Sequence, residues 1–369
     1  MKILYCGVTG DGTGWGKAAQ NYILAMDHIG LDVVHRPIRL NSNKYEVPAR
    51  IEELEKKSPQ GCTHIIQHIL PHYSYYAGPA KNICMFASES SNFVTTSWVE
   101  RLNTLDEAWV FNWQSANVAE NSGVNVPIRV IPHCFDITTY QKKYEPFHIP
   151  EIAGTFKFYF IGEFVRRKNL GALLKAFHST FEPHEPVSLV IKSNIPGKSK
   201  QESADIIRNF CRSVKEGLKL RPIDSYAKEV IITQRLSDAD ILRLHATCDC
   251  FVMPSYGEAW CIPAFEAMAM GKPTIATKGT GFLDYMTEET SFLVPARKEP
   301  VFGCIDTFGD LMTAREEWDS IDISWLKSFM REIYDYGEKY DTMSQASVER
   351  AKAFDYRPVG ELIAAALAV

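Results

Sequence analysis

The stretch Pro254-Ser255-Tyr256-Gly257-Glu258-Ala259-Trp260-Cys261-Ile262-Pro263-Ala264-Phe265-Glu266-Ala267-Met268-Ala269-Met270-Gly271-Lys272-Pro273 carries the reading of this chain. The apolar run Cys250–Met253 before it has the length and composition of a buried strand, and a loop bearing Glu258 follows. A helix is expected over Pro263–Met270, since proline suits a first helical turn, where its missing N–H costs nothing. The unpaired amides and positive dipole end at that helix start make an anion site. Glu258 and Glu266 flank it, and a carboxylate can accept two hydrogen bonds from a vicinal diol. One place for a diphosphate between two places for diols matches the anatomy of a nucleotide sugar.

Working outward, short β-branched runs alternate with amphipathic stretches, the pattern of a parallel α/β sheet. Strands are expected at Lys2–Gly7, Thr63–Gln67, Ile83–Phe86, Glu107–Phe111 and Ile128–Ile131, with a helix over Gly16–Ile29. A second series starts near residue 155, with strands at Phe156–Gly162, Val187–Lys192, Glu229–Thr233, Cys250–Met253 and Thr274–Thr277. Helices are expected there at Asn169–Phe177 and Asp238–Ala246, the latter capped by Ser237, and the chain beyond Ile323 reads as mostly helical. Pro146, Pro150 and Gly154 mark a linker, so the domains are placed at 1–150 and 151–354, with a final helix at about 355–369 packing back on the first domain.

Composition excludes several classes. The 369 residues are 46% apolar, enough for two α/β domains with real cores. Forty basic and 45 acidic residues leave a net charge of −5 with no basic stripe, so no nucleic-acid partner is expected. No apolar stretch is long enough for a transmembrane helix, and the N-terminus reads as a first strand rather than a signal peptide; peripheral membrane contact stays open. The nine cysteines lack any Cys-x-x-Cys pair, so reduced thiols in a cytoplasmic protein are expected, with no metal site.

The segment 254–273 resembles the retaining GT-B glycosyltransferases of the glycogen-synthase-like and family-4 type (glycosyl transferases group 1), whose signature is two glutamates separated by seven residues, then a small-residue helix, Gly and Pro. The resemblance implies an α/β GT-B fold of two Rossmann-like domains facing a central cleft, acceptor side first and donor side second. It implies that Glu258 faces the donor sugar, Glu266 holds the ribose, and the amides of Ala259, Trp260, Cys261 and Ile262 approach sugar and phosphate. Where the family usually has Gly-Phe-Gly, this chain has Ala259-Trp260-Cys261, and Ala and Cys accept positive φ less readily than Gly.

Two further segments extend the resemblance. In Phe160-Ile161-Gly162-Glu163-Phe164-Val165-Arg166-Arg167-Lys168-Asn169-Leu170, Lys168 matches the lysine that neutralises the leaving diphosphate. Glu163 stands where an arginine is usual, so Arg166 or Arg167 is the candidate substitute. Val130-Ile131-Pro132-His133-Cys134-Phe135-Asp136 resembles the segment that closes the first domain, with His133 read as a packed histidine. The loop Gly10–Lys17 fits neither a P-loop nor a dinucleotide fingerprint. It resembles the Gly-rich first loop of GT-B enzymes, which places Gly14 and Gly16 by donor and acceptor. The family's central histidine is missing after Ile83–Phe86; Glu89 is the polar candidate there, and His68 and His72 are candidate borders of the acceptor site.

The activity implied is transfer of a sugar from a nucleoside diphosphate donor to an unidentified hydroxyl acceptor, with retention and with no cofactor. The catalytic candidates are Glu258, Lys168, Arg167 and Glu89. The alternatives are a non-catalytic nucleotide-sugar-binding protein and a sugar-nucleotide epimerase of the same fold. Donor binding is expected to narrow the cleft, with the linker and Phe354-Asp355-Tyr356 absorbing the rotation.

Overall fold

The computed structural model describes residues 1–39, 45–305 and 307–369. The first sheet holds β1 (Lys2–Gly7), β2 (Asp32–Pro37), β3 (His64–His68), β4 (Lys81–Phe86), β5 (Glu107–Val110) and β6 (Ile128–Val130), all parallel, in the order β2-β1-β3-β4-β5-β6. The second holds β7 (Phe156–Ile161), β8 (Val187–Lys192), β9 (Lys228–Ile232), β10 (Cys250–Met253), β11 (Thr274–Thr277) and β12 (Phe292–Val294), also parallel, ordered β12-β11-β10-β7-β8-β9. In such sheets a ligand crevice opens at the carboxyl ends of the strands where the order reverses. Those points lie between β1 and β3 in the first sheet and between β7 and β10 in the second.

The buried strands read as they do because both faces are covered: all six residues of Val187–Lys192 and all four of Cys250–Met253 are buried, so neither alternates. Four of the expected strands, Lys2–Gly7, Val187–Lys192, Cys250–Met253 and Thr274–Thr277, keep their bounds, and the ends of the other expected elements differ by at most three residues, as frayed ends do. Helix Gly14–His28 starts two residues before the expected Gly16, because Thr13 caps it by accepting from the Gly16 amide. Ser237 does cap Asp238–Thr247. β2 and the 19-residue helix Lys200–Leu218 were not anticipated, although Ser199 and Glu202 form a capping box at the start of that helix.

The final helix, Tyr356–Leu367, lies on helix Gly14–His28 of the first domain. The Tyr356 hydroxyl donates to Asn21, and a Cβ on Gly360 would sit 2.8 Å from the Ala25 carbonyl oxygen, so only glycine permits this approach. Aromatic packing joins the domains behind the cleft: Phe135 stacks on Phe265 at 4.0 Å, and Trp260 lies on Tyr285 and against His133 and Phe354.

A further element without a counterpart in the sequence reading is a hairpin. β13 (Ala296–Pro300) and β14 (Glu317–Ile321) form an antiparallel hairpin whose tip reaches the first domain.

Candidate active site

The loops after β7 and β10 meet at the switch point of the second sheet. Asn169 takes a left-handed conformation (φ 54°) that ends the short helical turn Arg166–Lys168, and its side chain donates to the Pro254 carbonyl. The Tyr256 amide donates to the Arg167 carbonyl at 2.8 Å. These two bonds bring the cations of one loop to the carboxylate of the other.

Glu258 is the centre of the constellation, its side chain only 3% exposed. Lys168 Nζ donates to both of its oxygens at 2.8 Å, and Arg167 Nη1 lies 3.2 Å from Oε1. Arg167 Nη2 lies 2.9 Å from Glu89 Oε1, which comes from the loop after β4 in the first domain. The four catalytic candidates therefore form one cluster drawn from both domains. Burial works against ionisation of Glu258, but the charges of Lys168 and Arg167 outweigh it and hold the carboxyl below the usual range. Glu89 goes the other way: burial, with repulsion from Glu258, pushes it up despite Arg167. Arg167 and Lys168 are held more firmly charged, since their attraction to Glu258 and Glu89 overrides the cost of burial.

The loop 257–261 has every carbonyl tied. Gly257 accepts from Arg167, Glu258 from the Gly281 amide, Ala259 from the Asn112 side chain, Trp260 from the Tyr285 hydroxyl, and Cys261 from the Ala264 and Phe265 amides. With its acceptors spent, the loop offers an anion its N–H groups, and helix Ile262–Ala269 begins directly after it. Cys261 sits at φ 74°, in the left-handed region that the family's glycine would occupy without strain. Trp260 is buried in the aromatic cluster, so its side chain serves the interface and only its backbone faces the loop. Gly257 touches the first domain: a Cβ there would stand 2.1 Å from the Glu89 carbonyl oxygen.

Glu266, in helix Ile262–Ala269, stands apart from Glu258, buried beside Tyr140 and His245 at 3.4 and 3.5 Å. Gly14 faces the donor loop across the cleft, its Cβ position 3.8 Å from Ile262 Cδ1. Gly16 sits inside the turn instead, with its amide held by Thr13 and its α-carbon against the Asp11 carboxylate.

Arg166 parts from Arg167. Its guanidinium lies 6.0 Å from the Trp318 ring, and it lines a separate recess of about 910 Å³ with Lys175, Phe210 and Tyr256. His68 is fully buried, bonded to the Tyr5 hydroxyl at 2.6 Å and pushed down to about 3 by burial, so it is a core residue and not a border of the acceptor site. His133 is likewise buried and held neutral. His72 accepts from Trp98 Nε1 and meets Phe308 of the hairpin tip.

Three cleft residues escaped the sequence reading. Lys192 ends the otherwise apolar β8, and burial, aided by Arg235, lowers its pKa to about 8 against the pull of Glu163. Arg235 reaches the Gly12 carbonyl and lies over the Tyr45 ring, and beside it Lys17 pairs with Asp238, both across the cleft. Asn112 caps helix Trp113–Ser122 while holding Ala259. A lone lysine closing an apolar strand was the one available signal.

Residues 142–300 match the family described as Glycosyl transferases group 1. No curated protein matches the chain. Among solved structures, HepE from Anabaena, crystallised with UDP and glucose, superposes with a TM-score of 0.69 at 15% identity, covering 100% of this chain and 99% of that one. Sucrose-phosphate synthase from Thermosynechococcus elongatus follows at 0.66 and 16%, covering 100% and 98%. A glycosyltransferase from Rickettsia africae gives 0.63 and 14%, covering 98% and 96%. At these identities the likeness establishes the fold, GT-B, with two Rossmann-like domains facing a cleft.

Proposed function

We propose that this chain, whose residues 142–300 are a group 1 glycosyl transferase region within a GT-B fold, moves a sugar from a nucleoside diphosphate donor to an acceptor hydroxyl with retention at the anomeric carbon. The observation that carries the reading is the cluster Glu258–Lys168–Arg167–Glu89 at the strand ends of both domains. In the reaction, the bond between the anomeric carbon and the diphosphate oxygen breaks and its electron pair stays with the diphosphate. The acceptor oxygen bonds to the anomeric carbon on the same face, and its proton passes to the departing oxygen. Charge develops on the diphosphate, where Lys168, Arg167 and the loop amides of 259–262 stabilise it, so basic side chains take the place of a metal ion. Glu258 receives hydroxyls of the donor sugar and Glu266 those of the ribose.

HepE was crystallised with UDP and with UDP-glucose, so UDP-sugars are the first donors to try. Among the described residues no helix is long and apolar enough to cross a membrane. Thermal shifts with UDP-, GDP- and ADP-sugars, followed by release of the free nucleotide, test the proposal. One donor class should stabilise the protein and be cleaved, with the anomeric configuration of the product matching that of the donor. Stabilisation by none of them, or an inverted product, would overturn it.

A further inference from the structure

We propose that the β13–β14 hairpin is a positioning element of this site, with Ser91 and Glu317 as the pair through which it acts; this rests on the reading of Glu89 and Glu258 as site residues. The geometry is a single strand bonded to both carboxylate loops. Ser91, two residues beyond Glu89, donates its amide to the Glu317 carbonyl at 3.1 Å and accepts the Glu317 amide on Oγ at 2.8 Å. Asp319 donates its amide to the carbonyl of Tyr256, two residues before Glu258, at 2.8 Å. Glu317 and Asp319 both lie in β14, about 7 Å apart at the usual rise per residue of a strand.

The residue between them secures the arrangement. Trp318 is buried and stacks on Tyr256 with centroids 4.3 Å apart and planes 13° apart, so the strand cannot slide along the Glu258 loop without unstacking. On the far side the tip is fastened to the first domain. Thr95 donates to the Asp310 carbonyl, Asn92 donates to the Arg315 carbonyl, and Phe308 packs edge-on against His72. The base of the tip is closed by the Val301 amide on the Glu316 carbonyl. The two loops are already in contact where the Glu89 carbonyl presses on Gly257. With no side chain on Gly257 to separate them, the two loops pack backbone to backbone, and β14 is bonded to both. The hairpin thus sets the separation between Glu89 and the Glu258–Arg167–Lys168 group.

Ser91→Ala removes one of the two bonds, Ser91→Thr keeps both groups, and replacing 303–315 by Asn-Gly removes the tip contacts while leaving β14. Hydrogen exchange of the full-length protein is read over segments 86–91 and 255–261, with β7 and β8 as internal controls. Ser91→Ala and the shortened tip should each speed exchange in both segments about tenfold, the size expected for one lost hydrogen bond, with the controls unmoved and Ser91→Thr close to wild type. In UDP release from UDP-glucose, kcat should fall while KM for the donor stays within about twofold. Unchanged exchange at 255–261, or a change confined to 86–91, would overturn the coupling. Coupled exchange in a protein that neither binds nor cleaves any nucleotide sugar would leave the hairpin's role standing and remove the transferase reading.

Discussion

Gly257→Ala tests the juxtaposition of the two domains with one methyl group. The added Cβ would stand 2.1 Å from the Glu89 carbonyl oxygen and 3.3 Å from its carbon. An ordinary carbon–oxygen contact needs about 3.4 Å, so one loop must retreat by roughly 1 Å. Gly257 is not among the residues with positive φ, so the substitution adds bulk without backbone strain. Its obstacle is backbone from the opposite domain, which no side-chain rotation relieves. The cheapest relief is separation of the loops, and the 2.9 Å contact between Arg167 and Glu89 would then stretch towards 4 Å. Overpacking of this kind costs about 1–3 kcal/mol, and a 1 Å misplacement of reacting groups costs about 100-fold in rate. The variant should fold, lose a few degrees in Tm, and release the nucleoside diphosphate from its donor about 100-fold more slowly, with a similar KM. A folded variant with kcat within threefold of wild type would refute the claim that these loops must touch for catalysis.

Arg167→Ala should reduce kcat by about two orders of magnitude, as should Lys168→Ala, whereas Arg166→Ala should stay within about twofold; steady-state kinetics on the three proteins decides which arginine offsets Glu163. Glu266→Ala should weaken donor binding by about 1.5–3 kcal/mol in calorimetry, the loss of a charged acceptor for the ribose hydroxyls. Donor affinity should fall as pH rises through about 8, because Lys192 is charged below that value and neutral above it. Lys192→Met should bind more weakly at pH 7 and lack that pH dependence. The same depressed pKa means that the unfolded chain holds more protons than the folded one between about 8 and the usual lysine range. Wild-type stability should therefore gain across that interval relative to Lys192→Met, in urea unfolding at several pH values.

Much of the fold was legible because buried parallel strands leave an unmistakable mark. Val187–Lys192 and Cys250–Met253 are continuous apolar runs of strand length, and the structure has strands at those same residues. The hairpin was not legible for the opposite reason. Ala-Arg-Lys-Glu-Pro (296–300) is polar and mostly accessible, and β14 is held by Tyr256, which covers Trp318, and by Ser91, which bonds Glu317, neither of which adjoins it in sequence. At the site, the likeness of two short motifs to the family pattern singled out Glu258, Glu266 and Lys168, and the structure brings Glu258 and Lys168 together. That Arg167 turns into the cleft while Arg166 turns out to Trp318 was not, because adjacent residues of a short helical turn diverge according to tertiary partners. His68 misled in the same way: its place at the end of β3 suggested the cleft, but its ring fills the space between Tyr5 and Trp15.

The two departures from the family pattern turn out to be different in kind. Cys261 occupies the left-handed conformation outright, so that change is a local strain of about 1 kcal/mol carried by a well-tethered loop. Glu163 is an electrostatic change, and its effect spreads. It bears on Lys192, whose charge it favours, and on Glu89, whose ionisation it opposes. Around Glu258 the charges already balance, two cations against two carboxylates. On the proposed reading, a diphosphate then gains little from Lys168 and Arg167 in the ground state, since both are paired. Its initial attraction comes from Lys192 and from the amide-rich loop of residues 259–262. Lys168 and Arg167 become decisive only as negative charge builds on the leaving oxygen and competes with Glu258 and Glu89 for them. An interaction that strengthens as the reaction proceeds lowers the barrier, whereas one already complete in the bound donor only lowers KM. Pairing these cations in advance with carboxylates therefore suits a transferase better than a protein that merely holds a nucleotide sugar.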